Sequence, residues 1–194
     1  MEKLMEEYQK YKWFFTSSNK LVVGGKSASQ NDELLVKIKR MNKQLYVMHT
    51  SKPGSPFSII LSDFNEVDDK DLKECAVFTA SFSRAWKMGK KKARVDIFSS
   101  LDLSKSKVMK TGTWGVKKKI KTIEADLVLF LTRQKGVLRA VPKSAAKPAL
   151  LKITPGKVDK TDMLAKFQIE LDNKLNQNEL LAALPAGGIR IEKK

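Results

Sequence analysis

The 194-residue chain is 42% hydrophobic, which suffices for one full core, and its 38 Lys and Arg against 21 Asp and Glu give a formal net charge of +17. A field of this sign attracts polyanions such as nucleic acids. Cys75 is the only cysteine, which excludes a disulfide framework and a thiolate zinc site, and no apolar run approaches the ~20 residues of a membrane span; we therefore expect a soluble cytoplasmic protein.

The N-terminal third of the chain is predicted to form a hairpin followed by a helix. Tyr11–Phe15 and Leu21–Val23 are short β-prone runs joined by turn-forming residues. A helix is then predicted to reach about Asn42, because Ser29 and Asp32 have capping-box spacing and apolar residues recur on one stripe, namely Leu34, Ile38 and Met41.

Two further strands and a second helix follow. Leu45–Met48 and Phe57–Leu61 flank a turn-forming segment, Ser51 to Pro56. Acidic residues then precede one continuous helical stripe, formed by Leu72, Cys75, Thr79, Phe82 and Trp86. Acidic residues at its start and lysines beyond its end complement the helix dipole.

The remaining pattern completes an α+β fold, with a mixed, largely antiparallel sheet, two main helices packed on it and a small C-terminal helical appendage. Further strands are predicted at Ala93–Phe98, Thr113–Val116, Ala125–Leu131 and Val137–Val141. We predict a main domain over residues 1–142, a linker over 143–148 and a strand-helix-helix appendage over 149–194. The appendage contains a strand at Leu150–Ile153, a helix marked by Leu164, Phe167, Leu171 and Leu175, and a short helix at Asn178–Leu184.

The charge is concentrated in one stretch. Arg84 to Lys121 holds 13 basic residues against Asp96 and Asp102, so it carries an excess of 11 positive charges. Such a cluster is either a solvated face that keeps the protein soluble or a surface for nucleic-acid phosphates. We predict that it binds phosphates through Arg84, Lys87, Lys90, Lys91, Lys92, Lys117, Lys118, Lys119 and Lys121.

Aromatic residues near basic ones add a second nucleic-acid signal. Trp13, Trp86 and Trp114 each lie close to Lys or Arg in the sequence, and a base stacked on an aromatic ring gains ~1–3 kcal/mol. Trp86 lies on the helical stripe, which favours the core, whereas Trp13 fits either the core or a stacking platform. Lys26, beside the first helix start, is predicted to hold a phosphate.

The sequence offers little for catalysis. His49 is the sole histidine, and Cys75 lies on the apolar stripe of its helix, which favours a buried thiol. No cluster has metal-ligand spacing, and Gly24-Gly25-Lys26-Ser27 lacks the upstream glycine of a nucleotide-binding loop. We therefore predict no enzymatic activity, no metal and no cofactor.

Seven short motifs occur in the order and spacing of one known family, the NFACT-R domain. They are Trp13-Phe14 with Ser17, Gly24-Gly25, Asn31 ahead of a helix, Tyr46 with His49, Gly54-Ser55-Pro56, Ser83-Arg84-Ala85-Trp86-Lys87 and Gly112-Thr113-Trp114. The chain therefore resembles this family from about Tyr8 to Val141. Two positions depart from the family pattern, since Gln44 replaces a usual acidic residue and Lys117-Lys118-Lys119 replaces a turn that tends to contain glycine.

The resemblance implies an RNA-binding module of the kind found at the C-terminal end of ribosome quality-control factors, which engage obstructed large ribosomal subunits together with tRNA. The chain is similar to the stand-alone type, because the N-terminal NFACT domain and the long coiled coils are missing from it, so no tail-synthesis activity is implied. We expect rRNA or tRNA, and through them the large ribosomal subunit, as partners in the cytoplasm.

Four residues are candidates for a structured polar and aromatic patch on the RNA-binding surface, namely Trp13, Asn31, His49 and Arg84. Asn31 and His49 fit equally well as satisfied turn and core residues. Three alternatives remain open: a general DNA-binding protein using the same basic face, an enzyme acting on RNA through His49, and an adaptor docking through its C-terminal helices. The sequence does not predict an oligomeric state.

Overall fold

The computed structural model describes residues 1–171 and 176–192, so Leu175 of the predicted C-terminal helix lies outside the described residues. The helices are α1 (Glu2–Glu6), α2 (Ala28–Arg40), α3 (Asp69–Ser81), α4 (Arg84–Lys87), α5 (Leu164–Glu170) and α6 (Gln177–Ala183). The strands are β1 (Lys12–Phe15), β2 (Leu21–Gly24), β3 (Tyr46–Thr50), β4 (Ser58–Ile60), β5 (Lys92–Ser99), β6 (Leu103–Ser104), β7 (Gly115–Val116), β8 (Lys119–Asp126), β9 (Leu129–Gln134), β10 (Val137–Val141), β11 (Leu151–Asp159) and β12 (Gly188–Glu192). No helix within the described residues is long and apolar enough to cross a membrane.

A six-stranded antiparallel sheet in the order β1-β2-β4-β3-β5-β8 forms the centre of the fold. The predicted hairpin is confirmed, because Trp13 pairs with Val23 and Phe14 with Val22. Successive residues of a strand point to opposite faces, so this register places Trp13 and Val23 on one face and Phe14 and Val22 on the other. Both faces of the sheet are therefore apolar.

Each face of the sheet is covered by one of the two main helices, which confirms the predicted α+β class. Helix α2 buries Leu34, Leu35 and Ile38 on the Trp13 face, and α3 packs on the Phe14 face. Helix α2 begins two residues earlier than predicted, because Ser27, not Ser29, is the N-cap and accepts a hydrogen bond from the Gln30 backbone at 3.1 Å.

Helix α3 starts at a complete capping box. The Asp68 carboxylate accepts from the Asp71 backbone, and the Asp71 carboxylate accepts from the Asp68 backbone. The predicted continuous helix through Trp86 is wrong: α3 ends at Ser81, and Ser83 caps a separate short helix, α4, by accepting from the Ala85 backbone at 3.1 Å. Trp86 is nevertheless fully buried, as its place on the stripe predicts.

A second antiparallel sheet, in the order β10-β9-β11-β12, packs against the α3 side of the first. The predicted single strand at 125–131 is wrong, because β8 ends at Asp126 in the first sheet and β9 starts at Leu129 in the second. The predicted basic turn is also partly a strand, since Lys119 is the first residue of β8. Strand β12 was not predicted.

The predicted linker does not separate two cores. Strands β9 and β10 lie before it and β11 and β12 after it, yet all four form one sheet, and Ala145 and Ala146 within it are buried. The Trp86 indole also donates to the Gly188 carbonyl at 3.1 Å, which ties α4 to β12. The residues after the linker therefore complete the core of the main domain.

Candidate nucleic-acid interface

A cleft of about 550 Å³ lies between the start of α2, the loop after β3 and the loop before β7. Residues from most of the sequence motifs meet there, although they are far apart along the chain. The shared lining is Gly25, Asn31, His49, Gly54, Ser55, Pro56, Gly112, Thr113 and Trp114. Five of the seven sequence motifs thus contribute to one continuous surface.

Asp32 fixes the loop that forms one wall of this cleft. Its carboxylate accepts hydrogen bonds from the Trp114 indole at 2.7 Å, the Gly112 backbone at 3.0 Å and the Lys105 ammonium at 3.1 Å. Lys105 also donates to the carbonyls of Lys110 and Thr113, at 2.8 and 2.9 Å. Burial opposes ionisation of Asp32, but these donors outweigh it and hold the pKa of the carboxyl below its ordinary value. We call this arrangement the Asp32 clamp.

Two glycines allow the walls of the cleft to approach closely. A Cβ atom on Gly25 would lie 2.2 Å from the Asn31 side-chain oxygen, so only glycine fits there. Gly112 has φ of +78°, and a Cβ atom on it would lie 2.8 Å from the Ala28 Cβ atom. Close packing against Asn31 and Ala28 therefore requires glycine at both motif positions.

Asn31 and His49 both line the cleft, and both carry structural hydrogen bonds. The Asn31 side-chain oxygen accepts from the Phe57 backbone at 3.1 Å. His49 Nδ1 lies 2.7 Å from the Thr50 carbonyl, so Nδ1 carries the proton and Nε2 is left as an acceptor. Burial lowers the pKa of His49, which keeps the ring neutral near pH 7.

Trp13 and Trp86 are buried in the core, whereas Trp114 lines the cleft. Trp13 was a candidate stacking platform, but it is only 1% exposed, with the Tyr8 ring 4.9 Å and the Arg139 guanidinium 4.6 Å from it. That interpretation of Trp13 is not supported, because its ring belongs to the core. Half-buried Trp114 lines the cleft instead. The Gly112-Thr113-Trp114 motif was the signal for it, but Trp114 was not among the predicted contacts.

The predicted basic residues form two groups at opposite ends of β5. Lys92, at its start, pairs with Asp126 on β8, whereas Lys119 pairs with Phe98 near its end, so the groups are on the order of 20 Å apart. The first group borders a second cleft beside the loop after β3, which includes Arg84, Lys90 and Lys92. The single basic patch expected from the sequence is therefore divided.

Several of these lysines are already paired. Lys92 lies 3.1 Å from Glu124, Lys119 lies 3.2 Å from Asp96, and Lys121 lies 2.6 Å from Asp69. Exposed ion pairs of this kind contribute little to stability and leave the lysines able to exchange partners. Arg84, Lys87, Lys90, Lys91, Lys117 and Lys118 are exposed and, with Lys26 at the edge of the first cleft, have no carboxylate partner among the described residues.

The groups considered for catalysis are held in structural roles. Cys75 is completely buried, and burial raises the pKa of its thiol, so no reactive thiolate is exposed there. The hydrogen bond of His49 Nδ1 goes to a backbone carbonyl and not to a carboxylate. Within residues 1–171 and 176–192, no group of His, Cys, Asp and Glu has the arrangement of a metal site.

Known proteins resemble the chain over different parts of its length. It is 28% identical over 202 residues to the archaeal Rqc2 homolog aRqcH of Methanocaldococcus jannaschii, covering 96% of this chain and 29% of that protein. It is 39% identical over 80 residues to the ribosome quality control complex subunit NEMF homolog of Drosophila melanogaster, covering 41% of this chain and 8% of that protein. The chain thus spans less than a third of either relative.

A solved structure and a family model complete the comparison. The structure of the C-terminal part of the fibronectin/fibrinogen-binding protein from Streptococcus suis covers 59% of this chain and 44% of its own, with a TM-score of 0.52 and 22% identity, which shows a common fold. The model of the NFACT protein RNA binding domain matches residues 10–118, which include every motif that meets in the cleft. By this match the chain belongs to the NFACT-R family.

Proposed function

We propose that this protein binds RNA through the cleft and its basic edges, without catalysing a reaction, and that it acts on rRNA or tRNA during ribosome quality control in the cytoplasm. The observation that carries the proposal is the meeting of residues from five of the family's motifs in one cleft, near exposed basic side chains that have no acidic partner among residues 1–171 and 176–192. The names of the two relatives, an Rqc2 homolog and a ribosome quality control complex subunit homolog, support the cellular setting.

In this proposal the basic edges bind phosphates and the cleft binds a base. Phosphates are held by Arg84, Lys87, Lys90 and Lys91 on one side and by Lys117 and Lys118 on the other, which supplies affinity that depends on salt but not on sequence. An unpaired base enters the cleft and lies against the Trp114 ring, which the Asp32 clamp holds in place. His49 Nε2 is available to accept a hydrogen bond from a base edge or a ribose hydroxyl.

This geometry favours unpaired RNA over duplex DNA. A duplex presents stacked bases and requires a continuous basic face, whereas here two separated basic groups flank a concave, aromatic-lined cleft. The adaptor alternative receives no support, because α5 and α6 bury Phe167, Leu180 and Ala183 in the protein's own core. We place the RNA contacts within residues 1–142 and assign residues 149–194 a supporting role.

The proposal is tested by replacing the aromatic ring of the cleft. Trp114→Leu should weaken binding to a single-stranded RNA, measured by fluorescence anisotropy, by roughly 5- to 150-fold, the equivalent of ~1–3 kcal/mol for one stacked base. Phe64→Leu is the matched control, since the Phe64 ring stacks on Tyr46 at 3.9 Å and does not line the cleft. Equal affinity of wild type and Trp114→Leu, with duplex DNA bound as tightly as RNA, would show that the cleft is not the site.

The cellular partner is identified by crosslinking in living cells and sequencing the attached nucleic acid. We expect large-subunit rRNA or tRNA in the crosslinked fraction, and a reduced yield for Trp114→Leu but not for Phe64→Leu. Recovery of chromosomal DNA in place of RNA would contradict the proposal.

A further inference from the structure

A second pocket, of about 440 Å³, opens on the other side of Lys12 and Lys26 from the cleft. It lies where β1 and β10 meet the end of β11 and the residues after α6, so the part of the chain after residue 118 builds much of it. Its apolar wall is formed by half-buried Val137 and Leu181, whereas Trp13 and Leu184 behind them are covered. We call it the Lys160 pocket.

Four cations converge on this pocket, and no acidic residue within the described part of the chain lines it. They are Lys12, Lys26, Arg139 and Lys160. None of the ion pairs found among residues 1–171 and 176–192 includes any of the four. Arg139 is buried, Lys12 and Lys160 are half-buried, and Lys26 is exposed at the rim. Holding the three covered cations together without compensation is unfavourable for folding, which suggests that the group serves a ligand.

The nearest acidic groups are already engaged. Glu179 accepts from Arg133 at 3.1 Å and from the Leu138 backbone at 2.7 Å. Asp159 accepts from the Thr161 backbone at 3.0 Å and from its hydroxyl at 2.8 Å. Glu179 and Asp159 raise the pKa of Arg139 and Lys160 only weakly, and burial outweighs them.

Three of the cations are held in place by the protein. The Arg139 Nε–H donates to the Trp13 carbonyl at 3.1 Å, while the guanidinium lies over the Trp13 ring. Lys160 donates to the Leu181 carbonyl at 2.9 Å, and the Lys12 ammonium lies 4.5 Å from the Phe82 ring centroid. Each of these groups has N–H donors beyond the contacts named here, so the pocket offers several donors at once.

Burial and mutual repulsion lower the pKa of members of this group. Burial, followed by repulsion from Arg139, Lys160 and Lys26, lowers the pKa of Lys12 to about 8. Burial lowers the pKa of Arg139 to about 10, and it lowers the pKa of Lys26 and of Lys160 as well. An anion among these groups would relieve the repulsion and raise the pKa of Lys12, so that Lys12 is more fully protonated at pH 8.

We propose that the Lys160 pocket binds a phosphate monoester, either the terminal phosphate of an RNA strand or the phosphate of a free mononucleotide. A phosphate monoester carries close to two negative charges at pH 7 and three acceptor oxygens, which suits several converging donors, whereas a carboxylate carries one charge. The apolar wall suits the sugar and base attached to that phosphate. The strand-terminal form of this proposal rests on the proposed RNA binding in the adjoining cleft, whereas the mononucleotide form does not.

The test compares RNA oligonucleotides that differ only in a terminal phosphate. In isothermal titration calorimetry, a 5′-phosphorylated or 3′-phosphorylated single strand should bind about tenfold more tightly than the strand with hydroxyl ends, the gain of one or two charge-assisted hydrogen bonds. Adenosine 5′-monophosphate is the third probe. Binding of the mononucleotide as tight as that of the phosphorylated strand identifies the free nucleotide as the ligand.

The decisive variant is Lys160→Met, because Lys160 lines this pocket and not the cleft. It should abolish the advantage of the phosphorylated strand and leave the affinity for the hydroxyl-ended strand unchanged. The control is Lys157→Met, since Lys157 is exposed near the end of β11, three residues before Lys160, and does not line the pocket. At pH 8, phosphate binding to the wild type should be accompanied by proton uptake on Lys12. The measured binding enthalpy should then differ between two buffers of different ionisation enthalpy. Lys12→Met should lose this uptake.

The outcomes separate this proposal from the proposed function. If phosphorylated and hydroxyl-ended strands bind equally and adenosine 5′-monophosphate does not bind, the phosphate site is refuted while RNA binding in the cleft stands. If the hydroxyl-ended strand fails to bind but adenosine 5′-monophosphate binds in a Lys160-dependent way, the cleft proposal fails and the pocket stands. Lys12→Met should also keep or raise the melting temperature, since it removes a repelled charge; a large fall would mark Lys12 as a structural residue and overturn its assignment.

Discussion

Asp32→Asn is expected to release the loop that carries Trp114 without unfolding the protein. The asparagine side chain keeps one acceptor oxygen but places an NH₂ group where the carboxylate now meets a donor. One charge-assisted hydrogen bond is therefore lost, and the remaining hydrogen bonds are no longer made to a charged acceptor. Hydrogen bonds to charged groups contribute ~1.5–3 kcal/mol each, which gives about 2–4 kcal/mol for the clamp. The Gly112 amide, which donates to Asp32, should then exchange with solvent ~30- to 1000-fold faster.

Amide exchange measured by NMR distinguishes this local opening from global unfolding. Glu33→Gln is the control, because Glu33 is the neighbouring acid on α2 and its partners are Tyr11, Lys10 and Lys37, outside the loop. Unchanged Gly112 exchange in Asp32→Asn, or an equal change in every amide of the core, would refute the clamp.

The pH dependence of the clamp has a defined sign. The pKa of Asp32 lies below its ordinary value of 3.8 in the folded protein, so the folded state favours the ionised carboxyl. The stabilisation is therefore fully present above pH ~4 and is lost as the pH falls through the folded pKa. Protection of the Gly112 amide should decrease in that range in the wild type and not in Asp32→Asn.

Further predictions concern the basic groups and the core. If RNA neutralises about five of the protein's charges, log affinity should fall against log salt with a slope of roughly −3.5, and a slope near zero in a salt titration would exclude the electrostatic contribution. Replacing Lys90, Lys91 and Lys92 together by Ala should reduce the affinity for every RNA tested while the melting temperature stays within a few degrees, because all three are exposed; lost stability with unchanged binding would contradict this. Trp86→Ala should cost ~3–5 kcal/mol in denaturant unfolding, since the ring is fully buried. Arg84→Ala should lower RNA affinity and leave the unfolding free energy nearly unchanged, and Arg84→Lys should recover only part of that affinity.

The sequence predicted elements whose pattern is local. The hairpin at β1 and β2, the acidic start of α3 and the burial of Trp86 all follow from spacing and capping, which act over a few residues. The break after Ser81 was missed because the apolar stripe continues through it. Only the pairing of the Ser83 hydroxyl with the Ala85 backbone shows that a new helix begins.

Elements that depend on distant contacts were not predictable in the same way. The run from Ala125 to Leu131 is apolar except for exposed Asp126 and reads as one strand, but its two ends belong to different sheets. The corner between them depends on the separate strand partners of β8 and β9. Trp13 is covered by Arg139, which is 126 residues away, so its burial is not evident from neighbouring lysines.

The motif order in the sequence named several residues that line the cleft, such as Asn31 and His49, but not the shape of the cleft. The motif residues were named from their order, yet their meeting depends on a contact between Asp32 and Trp114, 82 residues apart. The Lys160 pocket has no motif in the sequence, because its four cations come from four separate segments. The contacts assigned to individual lysines and to Arg84 stay predictions until binding is measured.

The bond from Trp86 to Gly188 has a consequence for the order in which the chain gains structure as it leaves the ribosome. The core on the α2 side draws its buried residues from Leu4 to Leu103, so it can assemble while the rest is still being translated. The core on the α3 side includes residues as late as Ile191, and the hydrogen-bond partner of the Trp86 indole, Gly188, lies 102 residues downstream. Until then the apolar faces of α3 and α4 have no complete cover, so truncation after the family-matched region, residues 10–118, should leave them exposed.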